Sequence, residues 1–125
     1  MNLHSIEHIQ QRLDFIQGIL EAHYDSDDGN ILSTRLQEVG AYMAEAGKLK
    51  ADSELYYDKA VNKGIIEMLE KMPEYTSGTV QNKLVKSVGA NLKYLVTYAD
   101  RVNRSCTHQL EVMRTQLSYI KSLPR

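Results

Sequence analysis

Residues 99–114, ADRVNRSCTHQLEVMR, gather three arginines, a histidine, a glutamate and the only cysteine of the chain. Two chemistries would use such a set: thiolate attack assisted by a histidine base, or a cationic grip on phosphates. Spacing speaks against the first. Cys106 and His108 stand two positions apart, so on a helix their side chains diverge. Cys106 also falls at the centre of an apolar stripe, whereas a reactive thiol needs a partly exposed, electropositive site. A buried, inert thiol is expected, and no catalytic residue. The cations fall on the other side of the helix. Lys83, Lys86, Lys93, Arg101 and Arg104 share one sector nearly opposite the apolar stripe, with His108 among them and Tyr94, Tyr98 and Tyr119 along its edge. Such a stripe suits single-stranded nucleic acid, the cations following phosphates while Tyr94 and Tyr98 stack on bases. The competing reading is a solvated face, balanced by acids of the preceding helix, where Glu38, Glu45 and Asp52 recur every seven residues.

Two further motifs invite a metal and decline it. HSIEH (4–8) matches the H-x-x-E-H pattern, in which two histidines hold zinc and a glutamate activates water. His4 and His8, however, face away from the apolar stripe of their helix, at an end expected to fray. DSDDGN (25–30) resembles a calcium loop only in its acids. Counted from Asp25, position six is Asn30 in place of glycine, and position twelve is Leu36 in place of glutamate. A turn and a helix N-cap account for it. No metal, no cofactor and no small-molecule substrate are expected.

These residues must be positioned by helices. Turn chemistry clusters at DSDDGN and at PEYTSG (73–78), and the apolar spacing elsewhere is helical. The spacing predicts a first helix over about residues 3–24, a second over about 31–72 and a third over about 79–122. Thr79 or Ser77 would cap the third. Its apolar positions Leu84, Val88, Leu92, Leu95, Ala99, Val102, Cys106, Leu110, Met113, Leu117 and Ile120 fill one narrow sector with a mean step near 3.6, so strong supercoiling is not required. The second helix offers Leu32, Leu36, Val39, Met43 and Ala46, then Tyr57, Val61, Ile65, Met68 and Met72. Lys50 and Glu54 interrupt that seam and are expected to pair with each other, to fix the register of the hairpin, or to mark a local break in the helix. Gly40, Ala44, Gly47 and Ala51 suggest a close backbone approach by a neighbour. The fold class is therefore all-α: one domain over residues 1–125, a long antiparallel hairpin in coiled-coil fashion with a shorter N-terminal helix.

That first helix should lie on residues 31–51 and the C-terminal half of the third. The far half of the hairpin, near Tyr57, Ile65, Met68, Leu84 and Leu95, then lacks a cover. A second copy would complete a bundle, so a homo-oligomer with Met68 and Leu84 at its interface is expected. On the first helix, Phe15 lies opposite the core stripe with Ile19 and Ala22, a second apolar patch suited to a protein contact.

Bulk composition sets the remaining bounds. The net charge of −1 hides an asymmetry: residues 1–78 hold seven Lys and Arg against fourteen Asp and Glu, and residues 79–125 hold eight against two. The basic part can meet a polyanion or simply the acidic part. No apolar run approaches the roughly 18 residues of a membrane span, and the first residues lack the pattern of a signal peptide. A single cysteine suits a reducing cytoplasm.

Two segments, EAGKLKADSELYY (45–57) and ADRVNRSCTHQLEVMR (99–114), resemble small all-helical proteins of phages and prophages, encoded near single-strand annealing recombination genes. The likeness covers the second and third helices, about two-thirds of the chain, and carries no catalytic motif. It implies a place in a bacterial host cell, in DNA metabolism or host takeover. The leading expectation is a non-enzymatic, self-associating protein that assists nucleic-acid transactions, such as recombination, by binding single strands or a recombinase. The alternative is an inhibitor or adaptor of a host defence complex, acting through the acidic face or the Phe15 patch.

Overall fold

The computed structural model describes residues 3–22, 28–71 and 89–124, the side chains of Ile65 and of residues 68–71 excepted. It holds three helices, α1 (Ile6–Glu21), α2 (Gly29–Lys71) and α3 (Ala90–Ser122), and no strand among the described residues. The all-α expectation is met.

Local chemistry starts each helix. The Ser5 hydroxyl accepts from the His8 amide at 3.1 Å and caps α1, with Glu7 in the first turn where the helix dipole favours an acid. The Asp28 carboxylate accepts from the Asn30 amide at 2.8 Å and caps α2, the role expected of DSDDGN. Helix α2 runs unbroken through Gly47–Ser53. Helix α3 is described from Ala90, with Gly89 as its N-cap; residues 79–88 of the expected helix and its expected caps Thr79 and Ser77 lie outside the described residues. Gly89 is required there by its surroundings. A Cβ would stand 2.6 Å from the Tyr57 ring and 3.2 Å from Val61.

α2 and α3 form the antiparallel hairpin. Its register is read from Tyr57 against Gly89, Lys50 against Asp100, Met43 against Asn103, and Gly29 against Leu117. The Asn103 side chain donates to the Met43 carbonyl at 2.8 Å, a hydrogen bond that only this register allows. α1 lies in the cleft on one side, antiparallel to α2 and parallel to α3. Ile9, Leu13, Ile16 and Leu20 meet Val39, Ala46, Leu49, Leu95, Ala99, Val102, Cys106, Leu110 and Met113 in one core. Full burial of such a side chain contributes about 1.5–3 kcal/mol, so α1 is held chiefly by those four residues.

Several expectations for α2 need correction. Its seam is not interrupted at mid-length, because Leu49 and Ser53 carry it through, fully buried. Lys50 sits at the margin and reaches Asp100 of α3 at 3.1 Å, with Glu54 at 3.8 Å, so it fixes register as one of the expected roles had it. The small residues do not receive a neighbouring backbone. Ala44 and Ala51 are exposed, and a Cβ at Gly40 would meet nothing within 4 Å. Leu95 and Tyr57 are likewise not left bare, Leu95 being 3% exposed and Tyr57 half-buried against Gly89. The other proposed contact residues between copies, Met68 and Leu84, lie outside what is described.

Candidate nucleic-acid interface

The face of α3 turned away from the core carries Lys93, Tyr94, Arg101, Arg104 and His108, all exposed. Lys83 and Lys86 lie outside the described residues. The cations that are described divide between two neighbours. Lys93 leans towards α2, its Nζ 5.7 Å from the centre of the Tyr57 ring. Arg104 Nε is 3.0 Å from Asp100 Oδ2, while Asp100 Oδ1 holds Lys50. One carboxylate thus serves two cations and takes up part of the Arg104 charge. Arg101 has no ion-pair partner among the described residues.

Arg101 stands on the α1 side, where α1 and α3 enclose an open groove of about 520 Å³ lined by Gln17, Tyr94, Thr97, Tyr98, Arg101 and Ser105. Tyr94 is 66% exposed, its ring 6.1 Å from that of Tyr98 and tilted 44° to it. Tyr98 is fixed. Its hydroxyl donates to Asp14 Oδ1 at 2.8 Å, and Asp14 also accepts from Gln10 Nε2 at 3.1 Å. Burial first, and then the Asp14 hydrogen bond, push the Tyr98 hydroxyl above the ordinary tyrosine range. Of the two tyrosines expected to stack, Tyr94 offers a free ring and Tyr98 ties α3 to α1.

The acidic face of α2 is not the counterweight to this stripe. Glu45 accepts a two-bond fork from Arg12 of α1, at 2.6 and 2.8 Å. Asp52 is buried, bonded to Lys48 Nζ at 2.6 Å and to the His4 amide at 3.0 Å. Burial pushes the Asp52 carboxyl up, but the Lys48 ammonium and the His4 amide outweigh it and leave it below the usual range. Two of the three heptad acids, Glu45 and Asp52, thus mark the seam on which α1 docks, whereas Glu38 is exposed with Arg35 of its own helix 4.0 Å away. Across the hairpin itself the charges run the other way, Lys50 on α2 facing Asp100 on α3.

The N-terminal histidines also differ from expectation. His4 is pinned at both backbone groups, its amide by Asp52 and its carbonyl by the Tyr56 hydroxyl at 2.9 Å, so the start of α1 is anchored and not frayed. The His4 and His8 rings lie 4.6 Å apart. Among the described residues no group of three or more His, Cys, Asp and Glu is placed to hold a metal ion. Cys106 is fully buried and burial raises its thiol pKa, as an inert thiol requires.

Phe15 is exposed, as its place opposite the core stripe of α1 requires, but it is not without neighbours. It is 48% exposed, packs edge-on against Tyr42 at 6.0 Å and carries the Arg12 guanidinium 4.7 Å above its ring. Ile19 is half-buried, and its carbonyl accepts from Arg35 at 2.9 Å. With Gln109 donating to the Leu20 carbonyl at 2.7 Å, the two long helices close the C-terminal end of α1. Among the described residues no helix is long and apolar enough to cross a membrane.

Gln17, Thr97 and Ser105, the polar lining of the groove, escaped sequence reasoning. Each is an ordinary helix-surface residue by type, and only the parallel docking of α1 beside α3 brings Gln17 to the other two. Comparison of the chain with protein-family models, curated proteins and solved structures gives no match.

Proposed function

We propose that the protein is a non-enzymatic helical protein that binds single-stranded nucleic acid through the α1–α3 side of its basic stripe, and so assists nucleic-acid transactions such as recombination. One observation carries the reading: an exposed aromatic ring, Tyr94, shares a groove with Arg101, whose charge no described acid neutralises. Cation and ring side by side are what a sequence-tolerant single-strand site needs. The resemblance of residues 45–57 and 99–114 to phage proteins encoded near annealing genes points the same way. Within this proposal Arg101 contacts phosphate first, and Lys93 and Arg104 contribute less because Tyr57 and Asp100 engage them. A homo-oligomer would lengthen the stripe.

The test is fluorescence anisotropy with labelled single strands and duplexes over a salt series. Arg101→Ala should weaken binding and lower the slope of log affinity against log salt by somewhat under one, about the release from a single phosphate contact. Arg104→Ala should cost less. No retention of either nucleic acid at low salt would remove the proposal and leave the protein-binding reading, centred on Phe15.

A further inference from the structure

Resting on that reading, we infer that the α1–α3 groove is a subsite for one unpaired nucleotide, walled on its second side by α1. The stripe alone would serve any polyanion. The groove narrows the choice. Tyr94 and Arg101 are seven residues apart, two helical turns, so they project from the same side of α3 about 10 Å apart along its axis. A strand running along α3 can place a base on the Tyr94 ring while a neighbouring phosphate meets Arg101. The groove volume of about 520 Å³ falls within the range of small-ligand pockets, roughly 300–1,000 Å³, and suits one nucleotide better than a paired helix. Its polar lining, the Thr97 and Ser105 hydroxyls and the Gln17 amide oxygen (the Gln17 nitrogen already donates to Glu21 Oε1 at 2.9 Å), offers hydrogen bonds to sugar or base without the cluster of positive charge that a duplex backbone would seek.

Electrostatics sets the orientation. Asp14, which would repel a phosphate, lies behind Tyr98, bonded to its hydroxyl, and two donors already occupy it. The phosphate therefore belongs at the Arg101 end, with the base towards the tyrosines. Paired bases present no free face to Tyr94, so the subsite selects against duplex. α1 is a working part of the site through Gln17, which gives its docking on the hairpin a functional consequence.

Photochemical cross-linking of the full-length protein tests this. An oligothymidylate of about a dozen nucleotides, within the usual footprint of single-strand binders, carries 5-iodouracil at one position and is irradiated in complex. The adduct should map to Tyr94. Tyr94→Leu, which keeps apolar bulk but removes the ring, should weaken oligothymidylate binding about tenfold, whereas Tyr94→Phe should preserve it. Ser105→Leu, at an exposed position, should narrow the groove and cost single-strand binding without changing duplex binding. An adduct elsewhere with binding intact, or equal losses for strand and duplex, overturns the subsite while the nucleic-acid reading stands. Failure to bind either probe at low salt overturns both.

Discussion

Arg12 of α1 and Glu45 of α2 meet side by side, Nε to Oε2 at 2.6 Å and Nη2 to Oε1 at 2.8 Å, and so join the short helix to the hairpin by a planar fork. The Arg12 hydrogen bond holds the Glu45 carboxyl below its usual range, although burial opposes it. Both side chains keep about a third of their surface in water, 32% and 28%, so solvent screening keeps the contribution near 1 kcal/mol.

The sign of its pH dependence follows. A carboxyl whose folded pKa is depressed contributes stability above its unfolded value, and the contribution fades as pH falls through the folded one. Asp52 behaves the same way and adds to the effect. Glu45→Gln should therefore lower stability by about 1 kcal/mol at neutral pH, and the gap from wild type should close in acid below the ordinary carboxylate range. Urea unfolding at the two pH values measures this; a gap that persists in acid would show that the fork acts through packing alone.

Two glycines should respond in opposite ways to alanine. A Cβ at Gly40 meets nothing within 4 Å in a regular helix, so Gly40→Ala should stabilise by about 0.5–1 kcal/mol, mainly by restricting the unfolded chain. At Gly89 the same Cβ would come within 2.6 Å of the Tyr57 ring. Gly89→Ala must displace that ring and with it the seat of Lys93, and should destabilise by about 1–3 kcal/mol. Thermal unfolding separates the two, and Tyr57→Leu should recover part of the Gly89→Ala loss. Loss of stability in both glycine variants alike would contradict the geometry.

These glycines also show how far a sequence can be read. The stripe from Leu95 through Met113 was legible because burial on one side of a helix imposes a period near 3.6, and each of Leu95, Ala99, Val102, Cys106, Leu110 and Met113 is buried. Gly40 and Gly47 drew attention because glycine is costly inside a helix, yet Gly40 has no contact to explain it. Gly89 gave no signal, since what it accommodates is a ring on another helix. Glu45 and Asp52 were visible as a heptad row, but a row of acids reads equally as a solvated face until Arg12 and His4 are placed against it. The groove was half legible: Tyr94 and Arg101 share one helix face, whereas Gln17 enters only through the docking of α1.

Tyr98 provides the most direct check on that docking. Its hydroxyl donates to Asp14 across the α1–α3 contact, and the folded protein favours the neutral phenol, so its pKa lies above the ordinary value of about 10. The linkage sign is the reverse of the Glu45 case. Stability from this group is complete below the unfolded tyrosine pKa and is lost as pH rises through the folded value. Tyr98→Phe should cost about 1–2 kcal/mol at neutral pH, as for a partly exposed hydrogen bond to a carboxylate, and the difference from wild type should shrink in strong alkali. Ultraviolet titration should show in the wild type a tyrosine that ionises above the ordinary range and is missing from Tyr98→Phe. Oligothymidylate binding should survive Tyr98→Phe within about twofold, because the ring remains and Tyr94, not Tyr98, offers the stacking face. Should Tyr98→Phe abolish binding while the helices stay docked, the hydroxyl itself would be a ligand contact, and the division of labour between the two tyrosines would have to be reversed.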